Sequence, residues 1–226
     1  MKTISIDTPE LNDNRRYDYS DHPYSDRYEY PIIANLVEPN STVIDLGCGN
    51  GSLLALLKKE KNITETGIEI SESGVSVCKQ RGLNVRLGEI DGSLPFPDNS
   101  FDYAICNVTI QMVTYPEVLM QEMKRIARFQ ILSFPNFAFW RNRFELMLKG
   151  RMPRKMLFGY RWYSTGHIHQ LSIKDFYELV MSVGGLSIVE RKYEHSSNLV
   201  KNYFMQAFPN VFQMVPIFLL EKKNAQ

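Results

Sequence analysis

Long apolar runs are missing from this chain. The longest uninterrupted ones are a few residues, and residues 215–220 fall far short of the roughly 20 that a spanning helix needs. Cysteine is scarce: Cys48, Cys78 and Cys106 are the only three, and no CxxC occurs. An odd, scattered set argues against a disulfide framework or a thiolate zinc site and suits a reducing compartment. The opening residues, MKTISIDTPELNDNRR, carry no apolar core of the kind a secretory signal has. Net charge is nearly absent too, at +1, so the whole chain gives no electrostatic sign of a nucleic acid or membrane partner. These absences predict a soluble, cytoplasmic protein.

What is present is a regular alternation. The chain has 226 residues, 44% of them apolar, which suits one large α/β domain. Residues 1–27 are polar and tyrosine-rich and read as an N-terminal arm or lid, with the domain proper at 28–226. A short helix at 28–37 precedes a β-branched strand at 42–46. Helix 53–59, strand 64–70, helix 74–81 and strand 84–87 follow, with Gly82 as a helix stop. Strand 101–107, helix 116–127 with Pro116 at its start, and strand 129–134 continue the pattern. After an interruption come helix 172–183, the Gly184-Gly185 stop, strand 186–193 and a last strand at 215–221. Seven strands alternating with helices predict βαβ units, a mainly parallel sheet and helices on both faces.

The strongest local signal is Val43-Ile44-Asp45-Leu46-Gly47-Cys48-Gly49-Asn50-Gly51. A strand ends, glycines follow at alternate positions, and a helix begins. Glycine lets a ligand approach the backbone, and a helix N-terminus offers amides and partial positive charge. A dinucleotide fold wants G-x-G-x-x-G, but Ser52 stands where its last glycine would be. A Walker loop would need a lysine. Cys48, between Leu46 and Leu53, reads as a buried packing residue, although a helix N-terminus can lower a thiol's pKa. The acidic-x-G-x-G-x-G pattern instead resembles motif I of class I methyltransferases. That resemblance implies a Rossmann-like fold and S-adenosylmethionine as cofactor, with S-adenosylhomocysteine as product. Asp45, Gly47, Cys48, Gly49 and Gly51 are its loop residues.

About twenty residues on, Glu69 and Ile70 end the next strand, where a carboxylate can accept from both ribose hydroxyls. After the third strand, Gly88-Glu89-Ile90-Asp91 is followed by LPFPDNSFD, likewise similar to the superfamily. The resemblance implies Glu89 and Ile90 as adenine contacts, with Asp91 competing. Asp102 reads as a local cap before strand four, outside the site. Asn107, at that strand's end, either lines the methyl-transfer cleft or caps the next turn.

Beyond the fifth strand the segments SFPNF, WRNR and GRMP, then Trp162-Tyr163, Ile168-His169 and Ile173-Lys174-Asp175-Phe176, resemble the methionine biosynthesis protein W (MetW) family. The likeness spans about residues 40–190, with an echo at PNVF. That family's loop commonly has Asp where this chain has Asn50. The resemblance implies a methyltransferase whose acceptor, a small molecule or a protein, is not specified. Its alternative is a non-catalytic regulator that binds S-adenosylmethionine and partners homoserine O-acetyltransferase, an acyltransferase of methionine synthesis.

The insert at about 136–166 holds seven basic residues against one acid, +6 locally, while the remainder sums to −5. Aromatics are interleaved. It reads either as a solvated amphipathic helix, 140–148, with snorkelling arginines, or as a docking surface for an acidic protein. No recognised nucleic-acid motif accompanies the charge. His167 and His169 would point the same way on a strand, yet no third metal ligand is near. No metal is predicted, and His167, His169 and Asn107 are the weak catalytic candidates, a general base among them.

Overall fold

A computed structural model describes residues 18–21, 24–153, 162, 167–194 and 197–223. The elements run α1 (Glu29–Leu36), β1 (Thr42–Leu46), α2 (Ser52–Lys61), β2 (Thr64–Glu69), α3 (Glu72–Gln80), β3 (Val85–Leu87), β4 (Phe101–Asn107), α4 (Pro116–Ile126) and β5 (Ala127–Ser133). Then follow α5 (Trp140–Lys149), α6 (Ile173–Val183), β6 (Leu186–Lys192), α7 (Leu199–Ala207), α8 (Pro209–Phe212) and β7 (Ile217–Lys222). The seven strands form one sheet in the order β3-β2-β1-β4-β5-β7-β6. β7 runs antiparallel to both neighbours, and the remaining pairings are parallel. The strand order reverses beside β1, so the glycine loop leaves β1 at the crevice where open α/β sheets bind ligands.

Strand parity sorts the core onto two faces. Ile44, Leu46, Ala104, Cys106, Leu132 and Phe218 face α4 and α6, whose Leu119, Met120, Met123, Phe176 and Val180 cover them. Val43, Ile105, Ile131 and Ile217 face α1, α2 and α3 through Ile33, Leu54, Leu57, Val75 and Cys78. The rings of Phe134, Phe176 and Phe218 meet at centroid separations of 4.7–5.9 Å, locking α6 and β7 to the end of β5.

The SFPNF and PNVF segments are two halves of one buried joint. Asn136 is fully buried; its Nδ2 donates to Asn210 O at 3.1 Å and Gln213 O at 2.8 Å. Its backbone N–H donates to Met214 O at 2.8 Å, and Asn210 Oδ1 accepts from Ile173 N at 3.1 Å. A buried amide held this fully fixes the chain's exit from the sheet.

Two expectations need correction. Asp102 lies within β4 and ties β1 to it: its Oδ2 accepts from Thr42 N and Thr42 Oγ1, both at 2.8 Å. α7 and α8 fall where no helix was expected, although Asn198 caps α7 by accepting from Lys201 N. Helix α5 begins at Trp140 as expected; it buries only Asn142 and exposes Phe144, Leu146, Met147 and Leu148. Of the insert, residues 154–161 and 163–166 lie outside the described residues, as do residues 1–17 of the arm.

Candidate functional site

A cavity of about 590 Å³ opens at the carboxyl ends of β1, β2 and β4, within the range of small-molecule sites. The glycine loop forms one wall. Gly47 has φ +82°, and a Cβ there would sit 2.6 Å from Thr109 Cγ2, so the loop can cross the β4 turn only without a side chain. At Gly49 (φ +57°) a Cβ would meet Tyr19 Oη at 3.1 Å. Gly51 is not on the cavity wall; it caps α2 in the left-handed region and packs on Leu83 and Cys78.

The loop's amides are largely spent within the protein. Gly49 N donates to Glu69 Oε2 at 2.7 Å, and Ser52 N to Asn50 Oδ1 at 3.2 Å. This differs from a helix terminus whose N–H groups all await an anion, because the acids beside the loop reach it first. Glu69 is buried and its other oxygen accepts from Ser71 N at 2.9 Å. Burial raises its acid above the ordinary range, against the pull of those amides. Asp45 is 2% exposed, and no hydrogen-bond partner meets its Oδ1 among the described residues. Burial first, then the charge of Glu69, push its acid up to about 7.

Glu89 and Ile90 both line the cavity, Glu89 exposed and Ile90 buried, and Ile70 presents an exposed apolar side chain to it. Asp91 is there too, but its Oδ2 accepts from Thr114 N at 2.6 Å and Tyr115 N at 3.2 Å, holding the chain that leads into α4. Cys48 lines the cavity as a buried thiol; Cys78 and burial hold its pKa well above the usual range. A Cβ on Gly67 would come within 2.8 Å of its sulfur.

At the other end stand Asn107, Val108, Thr109 and His167. Asn107 both lines the cavity and stays tied to the sheet, accepting from Ser133 Oγ at 2.5 Å. Val108 has φ +60°, a conformation that a β-branched residue rarely adopts, and Ser133 holds it there by accepting from Val108 N at 3.1 Å. His167 is buried, and burial, then Arg27, lower its pKa, so the ring is neutral at pH 7. His169 is exposed and off the cavity, with Nε2 3.3 Å from Thr114 O. Among the described residues no group of three His, Cys, Asp or Glu is placed to hold a metal ion.

Sequence reasoning read residues 1–27 as an arm or lid without assigning any of them to the site; Tyr19, Ser25 and Arg27 of that arm line the cavity, as does Tyr30 of α1. Asn50 explains the attachment. Its Nδ2 donates to Ser25 Oγ at 2.9 Å, where an aspartate would instead have to accept from that hydroxyl, while Ser25 N donates to Ser52 Oγ at 2.9 Å. Arg81 braces the joint, donating to Asn50 O at 2.8 Å and lying 5.9 Å from the Tyr24 ring centroid. Tyr19 N donates to Ser73 Oγ at 3.0 Å.

A family model described as "Methionine biosynthesis protein MetW" matches residues 27–220. The chain is 34% identical over 167 residues to the "Bifunctional methionine biosynthesis protein MetXA/MetW" of Rhodopirellula baltica, covering 70% of this chain and 26% of that protein. It spans between about a quarter and under half the length of the curated relatives it first matches. Among solved structures, an S-adenosylmethionine dependent methyltransferase from Mesorhizobium loti superposes with a TM-score of 0.59 at 13% identity, over 86% of this chain and 97% of that one. The cyclase SpnF does so with a TM-score of 0.61 at 16% identity, over 87% and 81%. At such identities the likeness establishes the fold.

Proposed function

The chain belongs to the MetW family and has the class I methyltransferase fold, and from that premise we propose that it binds S-adenosylmethionine in this cavity as a methyltransferase. The observation that carries the reading is Asp45: a buried carboxylate with an oxygen lacking a partner among the described residues, beside the glycine crossing and two residues before it. A buried acid left so costs stability unless a cationic ligand group meets it, and S-adenosylmethionine carries an ammonium. Glu69 keeps lone pairs for ribose hydroxyls while accepting from Gly49 and Ser71. Ile70 and Ile90 supply apolar contact for the adenine, and Glu89 a rim carboxylate for its amino group. Asp91, engaged by the Thr114 and Tyr115 amides, is the weaker adenine candidate.

When bound, the cofactor supplies an electrophilic methyl on a sulfonium. The protein's part is then to hold an acceptor in line and keep water out. Asn107 and the strained Val108 turn border that position, and neutral His167 is the candidate general base. The acceptor is a small molecule or a protein side chain. Isothermal titration tests the reading: S-adenosylhomocysteine should bind with a Kd near 1 μM, about −8 kcal/mol. Glu69→Gln should weaken it by about 1–3 kcal/mol. Binding of NADH with none of S-adenosylhomocysteine would overturn it.

A second reading, a regulator without methyl transfer that partners an acyltransferase, draws on two observations. The Rhodopirellula baltica relative carries a MetXA part and a MetW part in one protein. Helix α5 presents Phe144, Met147 and Leu148 to solvent among Arg141, Arg143 and Lys149, which suits an acidic protein surface. Reversing Arg141 and Arg143 to Glu should abolish co-purification of a homoserine O-acetyltransferase and leave S-adenosylhomocysteine affinity unchanged. Retained capture would reject the docking role of α5.

A further inference from the structure

Two of the three cysteines meet where the glycine loop touches α3. Cys48 stands between Gly47 and Gly49 and lines the cavity. Cys78 lies on α3 and is fully buried. The two thiols share a hydrogen bond, and Cys78 Sγ in turn donates to Gly49 O at 3.4 Å. A Cβ on Gly51 would come within 2.7 Å of Cys78 Sγ, and one on Gly67 within 2.8 Å of Cys48 Sγ, so each sulfur rests directly on glycine backbone. Cys106 packs on the opposite face of the sheet, against α4 and α6, and cannot join the pair.

One partner of this contact is fixed and the other can yield. Helix α3 is capped by Ser71, which accepts from Gly74 N, whereas Cys48 sits in a loop whose Gly47, Gly49 and Gly51 all have positive φ. We propose that Cys48 and Cys78 form a disulfide in response to peroxide, and that this link draws the glycine loop onto α3 and closes the cavity to its ligand. The oxidant is hydrogen peroxide, small enough to enter the cavity and meet Cys48. The Cys48 sulfur attacks one peroxide oxygen; the O–O bond breaks, the thiol proton leaves in a first water, and a sulfenic acid remains. The Cys78 sulfur then attacks the sulfenic sulfur; the S–S bond forms, the S–O bond breaks, and hydroxide leaves with the Cys78 proton as a second water. The two thiols together lose two electrons and the peroxide gains them. Cys48 is held protonated in the reduced protein, so the first step is slow and the pair answers to excess peroxide. The sulfurs must close from hydrogen-bond contact to about 2 Å, and the glycine loop is the part that moves. That movement takes the Cys78 donor from Gly49 O and shifts Gly49, whose N–H holds Glu69. The pair stands on these contacts alone, while its effect on the ligand rests on the cofactor reading above.

The test exposes the folded full chain to hydrogen peroxide, alkylates the remaining thiols under denaturing conditions and maps the peptides by mass spectrometry. The wild type should yield one peptide pair joined through Cys48 and Cys78, lighter than the free peptides by two hydrogens, with Cys106 alkylated. Cys106→Ala should form the same link. Cys78→Ala should form none, and its Cys48 should run on to sulfinic acid. Calorimetry with S-adenosylhomocysteine should find the oxidised wild type weaker by about 10-fold or more, with dithiothreitol restoring the affinity. Untreated Cys78→Ala should bind like the reduced wild type, and dithiothreitol should not rescue it after peroxide. Circular dichroism on each variant establishes that it is folded. The pair is overturned if the folded wild type keeps both thiols reduced, if Cys48 is found overoxidised beside a free Cys78, or if the link forms only after unfolding in urea. A linked protein that binds S-adenosylhomocysteine as tightly as the reduced one overturns the closure of the cavity. Failure of the reduced wild type to bind would sink the cofactor reading alone, since the linked peptide is read without ligand.

Discussion

Replacing Asp45 by Asn should stabilise the protein while weakening its ligand. In the folded state burial and Glu69 raise this acid from 3.8 to about 7. In the unfolded chain it returns to its ordinary value, so between about pH 4 and pH 7 the native state holds a proton that the unfolded state has lost. Stability from this group therefore falls as pH rises through that window and is lowest above it. A shift of about three units is worth about 4 kcal/mol at pH 8.5. Glu69, raised in the same direction, adds to the slope. Asparagine keeps the size and polarity and cannot ionise. At pH 8.5 Asp45→Asn should raise Tm by roughly 8–16 °C, taking about 2–4 °C per kcal/mol for a chain of this size. At pH 4.5 the two proteins should melt within a few degrees of each other. Differential scanning calorimetry at both pH values without ligand decides it. Equal pH dependence in the two proteins, or a lower Tm for the variant at pH 8.5, would refute the account of Asp45 as an enclosed acid awaiting a cation. The same linkage predicts that an ammonium ligand displaces the proton below pH 7, so affinity climbs with pH up to about 7.

Three other substitutions probe the frame of the site. Ser25→Ala removes the acceptor of Asn50 Nδ2, so limited proteolysis should cut near residues 18–28 several-fold faster while Tm falls by only a few degrees. Gly67→Ala would place a Cβ 2.8 Å from Cys48 Sγ and from Val85 Cγ2, so chemical denaturation should show a loss of about 1–3 kcal/mol. Asn136→Ala orphans the Asn210 and Gln213 carbonyls, and about 2–4 kcal/mol should be lost in urea titration with α8 loosened first in hydrogen exchange.

The parts of the fold that follow periodicity were legible from the sequence. β1 and β4 have the bounds that their β-branched and apolar runs suggest, since both strands are buried on two faces and end in turn residues. Helices α7 and α8 were not: in α7 Leu199, Val200, Tyr203 and Phe204 face solvent and only Met205 is buried, and α8 is a single turn, so neither sets a clear period. Within the site, Asp45, Gly47, Gly49, Glu69, Glu89 and Ile90 meet at one cavity because βα units bring strand ends together. Spacing could not reveal that Asp102 ties two strands or that Arg27 reaches the cavity, since both depend on chain segments far apart in sequence. Nor could it show the left-handed Val108, which Ser133 stabilises from the neighbouring strand. Asn50 in the glycine loop makes the contact with the arm, its amide donating to Ser25 Oγ.

The place of β7 has a consequence for how the chain is made. It comes last of the seven strands in sequence, yet lies between β5 and β6. Until residues 217–222 leave the ribosome, β5 presents an open edge, and Phe176 and Phe134 lack the Phe218 ring that closes them. The nascent protein can therefore complete β1, β2 and β4 early but must wait with a bare apolar seam until β7 emerges. Such a seam is where premature edge-to-edge association begins. Fragments that stop short of β7 should consequently be found with chaperones or in inclusion bodies, however complete their ligand-facing half.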